Sequence, residues 1–314
     1  MTPRTRAGLI KFRPVRRGSR VALIAPASPF DRAHFDAGVA ELTRLGFDPV
    51  FDESVFERQP IVAGSAASRA QSFMRACTRE DVDAVIAVRG GYGSVEILPM
   101  LESAALRRAR TAIVGYSDIT SLHTQLNCHV HLASVHGPMI EGRLATGISA
   151  YDQASFLTSM SAEALGELAP EALDVVRPGE VMGPIFGGTL TQITGSLATP
   201  YEFFAPRGHV LFIDDVAERP YRLRRALTQL RLSGRLSQAA AVVFNQLPRC
   251  DEPGGAVTAR GVVDECLADF PGPVLFGFPS GHATGPSLSF PFGVQVTVVA
   301  RANPRLVFLE AGAE

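Results

Sequence analysis

The chain has 314 residues, 46 % of them hydrophobic and 19 % charged, the balance of a folded globular protein with room for two domains. Its 30 basic and 31 acidic side chains leave a net charge of −1, too weak a positive field for a duplex-binding or polybasic membrane-surface protein. No apolar run approaches the ~20 residues that cross a bilayer, so neither nucleic acid nor a membrane is expected as a partner.

Residues 1–19 read as a ragged basic arm, with Arg4, Arg6, Lys11, Arg13, Arg16 and Arg17 and no acid. Gly8-Leu9-Ile10 is too short for the apolar stretch of about 7–15 residues in a secretory signal. The cysteines Cys77, Cys128, Cys250 and Cys266 are scattered without a close pair. They suit a reducing compartment, and a cytoplasmic location is the expectation. With no HExxH and no paired His/Cys spacing, neither a metal nor a cofactor is expected.

From Val21 to Ala25 the chain is nearly all apolar and stops at Pro26, the pattern of a buried parallel strand. Asp31 can cap a helix through Phe35, Val39, Leu42 and Leu45, ended by Gly46. A second strand, Ala84–Val88, stops at Arg89-Gly90-Gly91-Tyr92-Gly93. A helical stretch with Val95, Leu98, Leu101 and Leu106 leads to a third strand over 111–116. Another helical pattern (Ile119, Leu122, Leu126) precedes a strand over 132–135. This alternation predicts a parallel sheet covered on both faces within residues 20–142.

Residues 143–180 lose the strand signals and read as a linker. Residues 181–314 open on Gly183–Gly188 and a helical stretch from Leu190 to Leu197. The strand His209–Ile213 ends in Asp214-Asp215, and Pro220 starts an amphipathic helix with Leu223, Leu227 and Leu230 inward. Ala240–Phe244 and Val274–Phe278 are further strands, and 294–299 with 306–309 form a hairpin.

The sharpest chemical signal is Gly115-Tyr116-Ser117-Asp118-Ile119 at a strand-to-helix junction. A serine on such a turn projects its hydroxyl above the sheet edge, and the following N–H groups are placed to hold an oxyanion. The second glycine of a G-x-S-x-G elbow is replaced by Ile119, and a plain helix cap fits Ser117 as well. The Arg89–Gly93 turn suits either an anion contact or a tight bend, and its spacing fails the dinucleotide pattern because position 96 is Glu96. Histidine is the usual base for a serine nucleophile. His282, in the loop 279–286, is the leading candidate, and His136 at a strand end is the rival. The acid of a triad can come from Asp214, Asp215 or Glu218. The first two leave their strand on opposite faces, so only one of them enters a given cleft.

Taken together and in order, the segments VALIAPAS, AVRGGYGS, IVGYSDITSLH, SVHGPM, GGTLTQITGSLATPYE, LFIDDVAERPYRLRRALTQLRLSG and GFPSGHATGPSLSFPFG resemble the LD-carboxypeptidase family of serine peptidases. That family includes murein tetrapeptide carboxypeptidases and the related microcin C immunity peptidases. The resemblance implies an N-terminal flavodoxin-like α/β domain and a smaller mixed C-terminal domain. It implies Ser117 as nucleophile, His282 as base, and an oxyanion hole from the N–H groups of Gly91 and Asp118. The family ordinarily carries glutamate where this chain has Asp214, so the triad acid is one methylene short. The implied reaction is release of terminal D-alanine from a murein tetrapeptide, a small peptide substrate, during wall recycling. Two alternatives stand beside it: an immunity-type peptidase acting on peptidyl- or aminoacyl-nucleotides, and a silent D-peptide-binding homologue. A homodimer is an expectation from the family alone.

Overall fold

A computed structural model describes residues 9–314. In the first half, strands β1 (Arg20–Ile24), β2 (Asp48–Val50), β3 (Ala84–Ala87), β4 (Ala112–Gly115) and β5 (Ser134–His136) alternate with helices α1 (Arg32–Leu45), α2 (Ala66–Thr78), α3 (Ser94–Ile97), α4 (Ser103–Ala109) and α5 (Thr120–Thr124). The five strands run parallel in the order 2-1-3-4-5, the flavodoxin-like order. Successive side chains of a strand point to opposite faces. Accordingly Val21 and Leu23 pack with Phe35 and Leu42 of α1, whereas Ala22 and Ile24 pack with Phe73 and Cys77 of α2. Burial on both faces is why these strands are apolar throughout. Helix α1 keeps the expected ends: Asp31 Oδ1 accepts from the His34 N–H, and Gly46 closes the helix in the left-handed region. The helical pattern after Gly93 is broken into α3, a single 3-10 turn containing Pro99, and α4, because proline cannot donate within a helix.

The second half adds α6 (Gln153–Ser159), β6 (Gly166–Leu168), β7 (Asp174–Arg177), β8 (Gly179–Thr189), α7 (Leu190–Ser196), β9 (His209–Asp214), α8 (Pro220–Leu232), β10 (Ala239–Asn245), α9 (Ala259–Cys266) and β11 (Val274–Phe278). Then come β12 (Phe290–Phe292), β13 (Gln295–Ala300) and β14 (Arg305–Phe308). Eight of these strands form a mixed sheet in the order 6-14-13-8-9-10-11-7, with a parallel centre (β8 to β11) and antiparallel flanks. Leu223, Leu227 and Leu230 of α8 and Val262 and Val263 of α9 cover one face of it. Against the other face lie Phe290 and Phe292 of β12.

Two sequence expectations are corrected here. Residues 143–180 are not a bare linker, since α6, β6 and β7 lie within them. Short, half-exposed edge strands such as Gly166–Leu168 carry too little apolar alternation to be read in advance. The basic arm is likewise not wholly ragged. Ile10 bridges to Leu132 and Phe12 to Ala313, and the Phe12 ring is fully buried. Arg4 and Arg6 lie outside the described residues. A further connection crosses the halves: β12 pairs antiparallel with β5 and completes the first sheet as a sixth strand. Phe290 of that strand sits 5.0 Å from the Phe212 ring of β9, so the two sheets share one aromatic seam. Among the described residues no helix is long and apolar enough to cross a membrane.

Candidate active site

Ligand sites in open parallel sheets form outside the carboxyl ends of the strands. Here the carboxyl ends of β3 and β4 from one sheet and of β9, β10 and β11 from the other bring the candidate residues into one region.

Ser117 directly follows β4 and Tyr116, and its φ is +64°. A non-glycine residue held in the left-handed region costs on the order of 1–3 kcal/mol, which the surrounding structure must offset. Two contacts hold the turn. His123 Nε2 donates to the Gly115 carbonyl at 2.9 Å, because a carbonyl only accepts. Gly90, from the turn after β3, lies so close that a methyl group there would sit 2.9 Å from Ser117 Cβ and 3.3 Å from the Asp118 nitrogen. The glycine at 90 therefore lets the turn after β3 approach the serine turn, whereas Gly91, with φ +94°, lies against Ser28. The Asp118 N–H lies in the first turn of the following helix, among amides with no intrahelical partner.

The Asp118 side chain performs a different task. Its buried carboxylate accepts from the Ser94 N–H at 2.8 Å and from Gln192 Nε2 at 3.0 Å, and its carbonyl accepts from Ser94 Oγ at 2.6 Å. Burial pushes its pKa up. These bonds tie the serine turn to the start of α3 and, through Gln192, to α7 of the second half. Buried Arg69 secures the other side of the glycine turn, donating to the carbonyls of Pro26 at 2.7 Å and Gly93 at 2.6 Å and pairing with Glu96.

On the second sheet strand alternation separates the two aspartates. Asp214 turns inward and is fully buried, and His282 Nδ1 lies 2.8 Å from its Oδ2. The aspartate is short, yet this hydrogen bond is not long. The His282 N–H also donates to Asp214 Oδ1 at 3.1 Å, drawing the loop down onto the shorter acid. Gly281 makes that approach feasible: its φ is +63°, and a Cβ there would lie 2.7 Å from Asp214 Oδ2. Asn245 at the end of β10 donates to Oδ1, and Thr189 Oγ1 at the end of β8 reaches Oδ2 at 3.3 Å. Asp215 points the other way and accepts from the Thr191 N–H at 3.0 Å and the Val216 N–H at 2.8 Å; burial lifts its pKa to about 6. Glu218 pairs with Arg222 at 2.5 Å.

Burial opposes the charged forms of both Asp214 and His282, but each stabilises the other's ion. The Asp214 pKa is held below the ordinary carboxylate value and that of His282 above the ordinary imidazole value. An ionised Asp214 only accepts, so the proton of neutral His282 sits on Nδ1 and Nε2 is left bare as a base. The rival, His136, is fully buried and its pKa falls to about 3 because burial opposes its cation. Ser280 Oγ donates to the Leu288 carbonyl at 2.7 Å, so His136 Nδ1 donates to Ser280 at 3.0 Å and supports the loop from beneath.

The two assemblies touch through Tyr116, whose ring stands edge-on to the His282 imidazole at 5.0 Å. The hydrogen bonds of His282 run to Asp214 and Asn245, with Ser117 Oγ not among their partners. Among the described residues no group of three His, Cys, Asp or Glu side chains is arranged to hold a metal ion. Arg69, Asn245, Thr189 and Ser94 escaped the sequence reading. Their partners are 24 to 31 residues away for most of these bonds, and no local pattern marks them.

Models of the LD-carboxypeptidase N-terminal and C-terminal domains match residues 21–137 and 182–298. The chain belongs to the LD-carboxypeptidase family. It is 30 % identical to a probable murein peptide carboxypeptidase of Bacillus subtilis over 96 % of this chain and 95 % of that protein. The crystal structure of muramoyltetrapeptide carboxypeptidase from Oxalobacter formigenes superposes with a TM-score of 0.84 at 26 % identity, covering 93 % of this chain and 99 % of the other. The microcin C7 self-immunity protein MccF of Escherichia coli is 25 % identical over 87 % of this chain and 88 % of its own length. The structure of MccF in complex with glutamyl sulfamoyl guanosine shares the fold, with a TM-score of 0.88 over 97 % of this chain and 99 % of that one. Membership in this family makes the chain a peptidase-type hydrolase.

Proposed function

We propose that the chain is a serine LD-carboxypeptidase that removes terminal D-alanine from a murein tetrapeptide. The observation that carries this reading is the buried Asp214–His282 pair at 2.8 Å, in contact through Tyr116 with the strained turn that presents Ser117. In the proposed reaction His282 Nε2 takes the Ser117 proton as Oγ bonds to the carbonyl carbon of the L-centre. The oxyanion lies against the N–H groups of Gly91 and Asp118. His282 then delivers that proton to the amide nitrogen, the C–N bond breaks and D-alanine leaves. Water, deprotonated by His282, attacks the acyl ester, the ester C–O bond breaks, the shortened peptide leaves as its carboxylate, and His282 returns the proton to Ser117 Oγ. Asp214 holds the imidazole in the required tautomer and stabilises its cation throughout. The residues come from both sheets, so correct packing of the two halves supplies the near-attack geometry.

Chromatography and mass spectrometry of three compounds test this reading. They are a tetrapeptide ending in meso-diaminopimelate-D-alanine, a pentapeptide ending in D-alanyl-D-alanine, and a glutamyl sulfamoyl nucleoside. D-Alanine from the tetrapeptide alone, lost in Ser117→Ala, is the expected result. Cleavage of the sulfamoyl nucleoside alone would place the chain with the immunity peptidases, and binding without turnover would make it a silent binding homologue. The absence of tryptophan and the short run from His209 to Pro220 leave no tryptophan ring to stack on a nucleobase, which favours the peptide substrate.

A further inference from the structure

Arg143 lies in the stretch that reads as a linker, in an irregular turn over residues 140–144 that bends at Glu141 and Gly142. Its part-buried guanidinium donates to four main-chain carbonyls. Nη1 reaches Ala150 at 2.9 Å and Gly285 at 2.8 Å, and Nη2 reaches Gly281 at 2.8 Å and Ala283 at 2.6 Å. Gly281 and Ala283 flank His282 directly. The other end of the same turn is fastened to the nucleophile side. The Glu141 N–H donates to the Val88 carbonyl at 2.8 Å, and the Glu141 carboxylate lies 3.2 Å from Arg89, the residue before Gly90 and Gly91.

We propose that Arg143 is a positioning residue for the general base: its fork fixes the carbonyls on both sides of His282 and sets the imidazole against the nucleophile of the first sheet. The inference rests on the reading that Ser117 and His282 act together. Only a planar guanidinium presents enough fixed donors to hold carbonyls at residues 281, 283 and 285 at once; a lysine is a single flexible point charge. The charged and titratable groups around the His282 ring are Asp214 and Asp215 at the end of β9, Tyr116 after β4, His136 on β5 and Arg143 itself. The aspartates favour the imidazolium, whereas the Arg143 charge opposes it.

Arg143→Lys keeps that charge and loses the fork, and Arg143→Gln loses both. In each variant kcat is expected to fall by about 10- to 100-fold with KM little changed, the scale for a small misplacement of a catalytic group. The acidic limb of kcat/KM should hold its position in R143K and move to higher pH in R143Q. NMR titration of the His282 ring nitrogens reads the same split without any substrate, so it still reports if the proposed peptide is not cleaved. R143K carries the test if R143Q fails to fold. Wild-type kcat in R143K, or a His282 titration unmoved in R143Q, would overturn the proposal.

Discussion

The Ser117 side and the His282 side of the candidate site are built on opposite plans. Ser117 belongs to one short stretch of chain and is shaped by backbone: a left-handed residue, a neighbouring glycine turn and the first amides of a helix. His282 stands on a loop with little regular structure, held by side chains from distant places. Asp214 and Asn245 come from two strand ends, His136 from the other sheet by way of Ser280, and Arg143 from the turn after β5. A backbone-built half tolerates change poorly where a Cβ intrudes. A half built from side chains fails where a buried polar partner is lost. The two halves can therefore be broken separately.

The largest effect is expected from Asp214→Asn, which preserves shape but presents an amide to His282 Nδ1 and favours the wrong tautomer. The drop in kcat should be about 10⁴-fold, the scale seen for the same change in a serine triad. Asp214→Glu tests the short acid. Asp214 is fully buried beneath Gly281, so an added methylene must push the His282 loop outward. Steady-state kinetics should show a loss of at least ~10-fold, on the scale of a misplaced group, rather than a gain. On the nucleophile side, Gly90→Ala puts a methyl 2.9 Å from Ser117 Cβ. It should lower kcat/KM by roughly 10²-fold while leaving the His282 titration in place. Asn245→Ala removes the side-chain donor to Asp214 Oδ1 and should destabilise the fold by about 1–3 kcal/mol in urea unfolding, together with a smaller kinetic loss.

The mildest prediction concerns pH. The proposed reaction needs neutral His282, and, against the opposing effect of burial, Asp214 holds its pKa above the ordinary 6.5. The rate should therefore rise with pH through an acidic limb lying above that value. A limb at or below it would mean that the Asp214 carboxylate is not the imidazole's partner in solution.

The same contrast explains what was legible in the sequence. Strands β1, β3 and β4 declare themselves because both faces are buried, and Ser117 because its chemistry lies within five consecutive residues. Residue pattern alone leaves Asp214, Asp215 and Glu218 as candidate acids, with alternation allowing only one of the two aspartates into a cleft; the fold turns Asp214 to His282 and Asp215 to α7. What stayed hidden depends on contacts between distant segments. β12 is a three-residue strand with a proline at its centre and exists because β5 offers an edge. Arg143 looks like any surface arginine until the loop around His282 folds over it. Phe12, amid basic residues, gives no sign that its ring is fully buried.

In the proposed site a hydroxyl carried by one sheet is activated by an imidazole carried by the other. Rates of fluorophosphonate labelling, followed by intact-protein mass spectrometry and peptide mapping, test it most directly. A single adduct on Ser117 is expected, none in Ser117→Ala, and a rate at least ~10²-fold lower in His282→Ala, the low end of what a general base contributes. Labelling of His282→Ala at the wild-type rate, or an adduct on another residue, would contradict it.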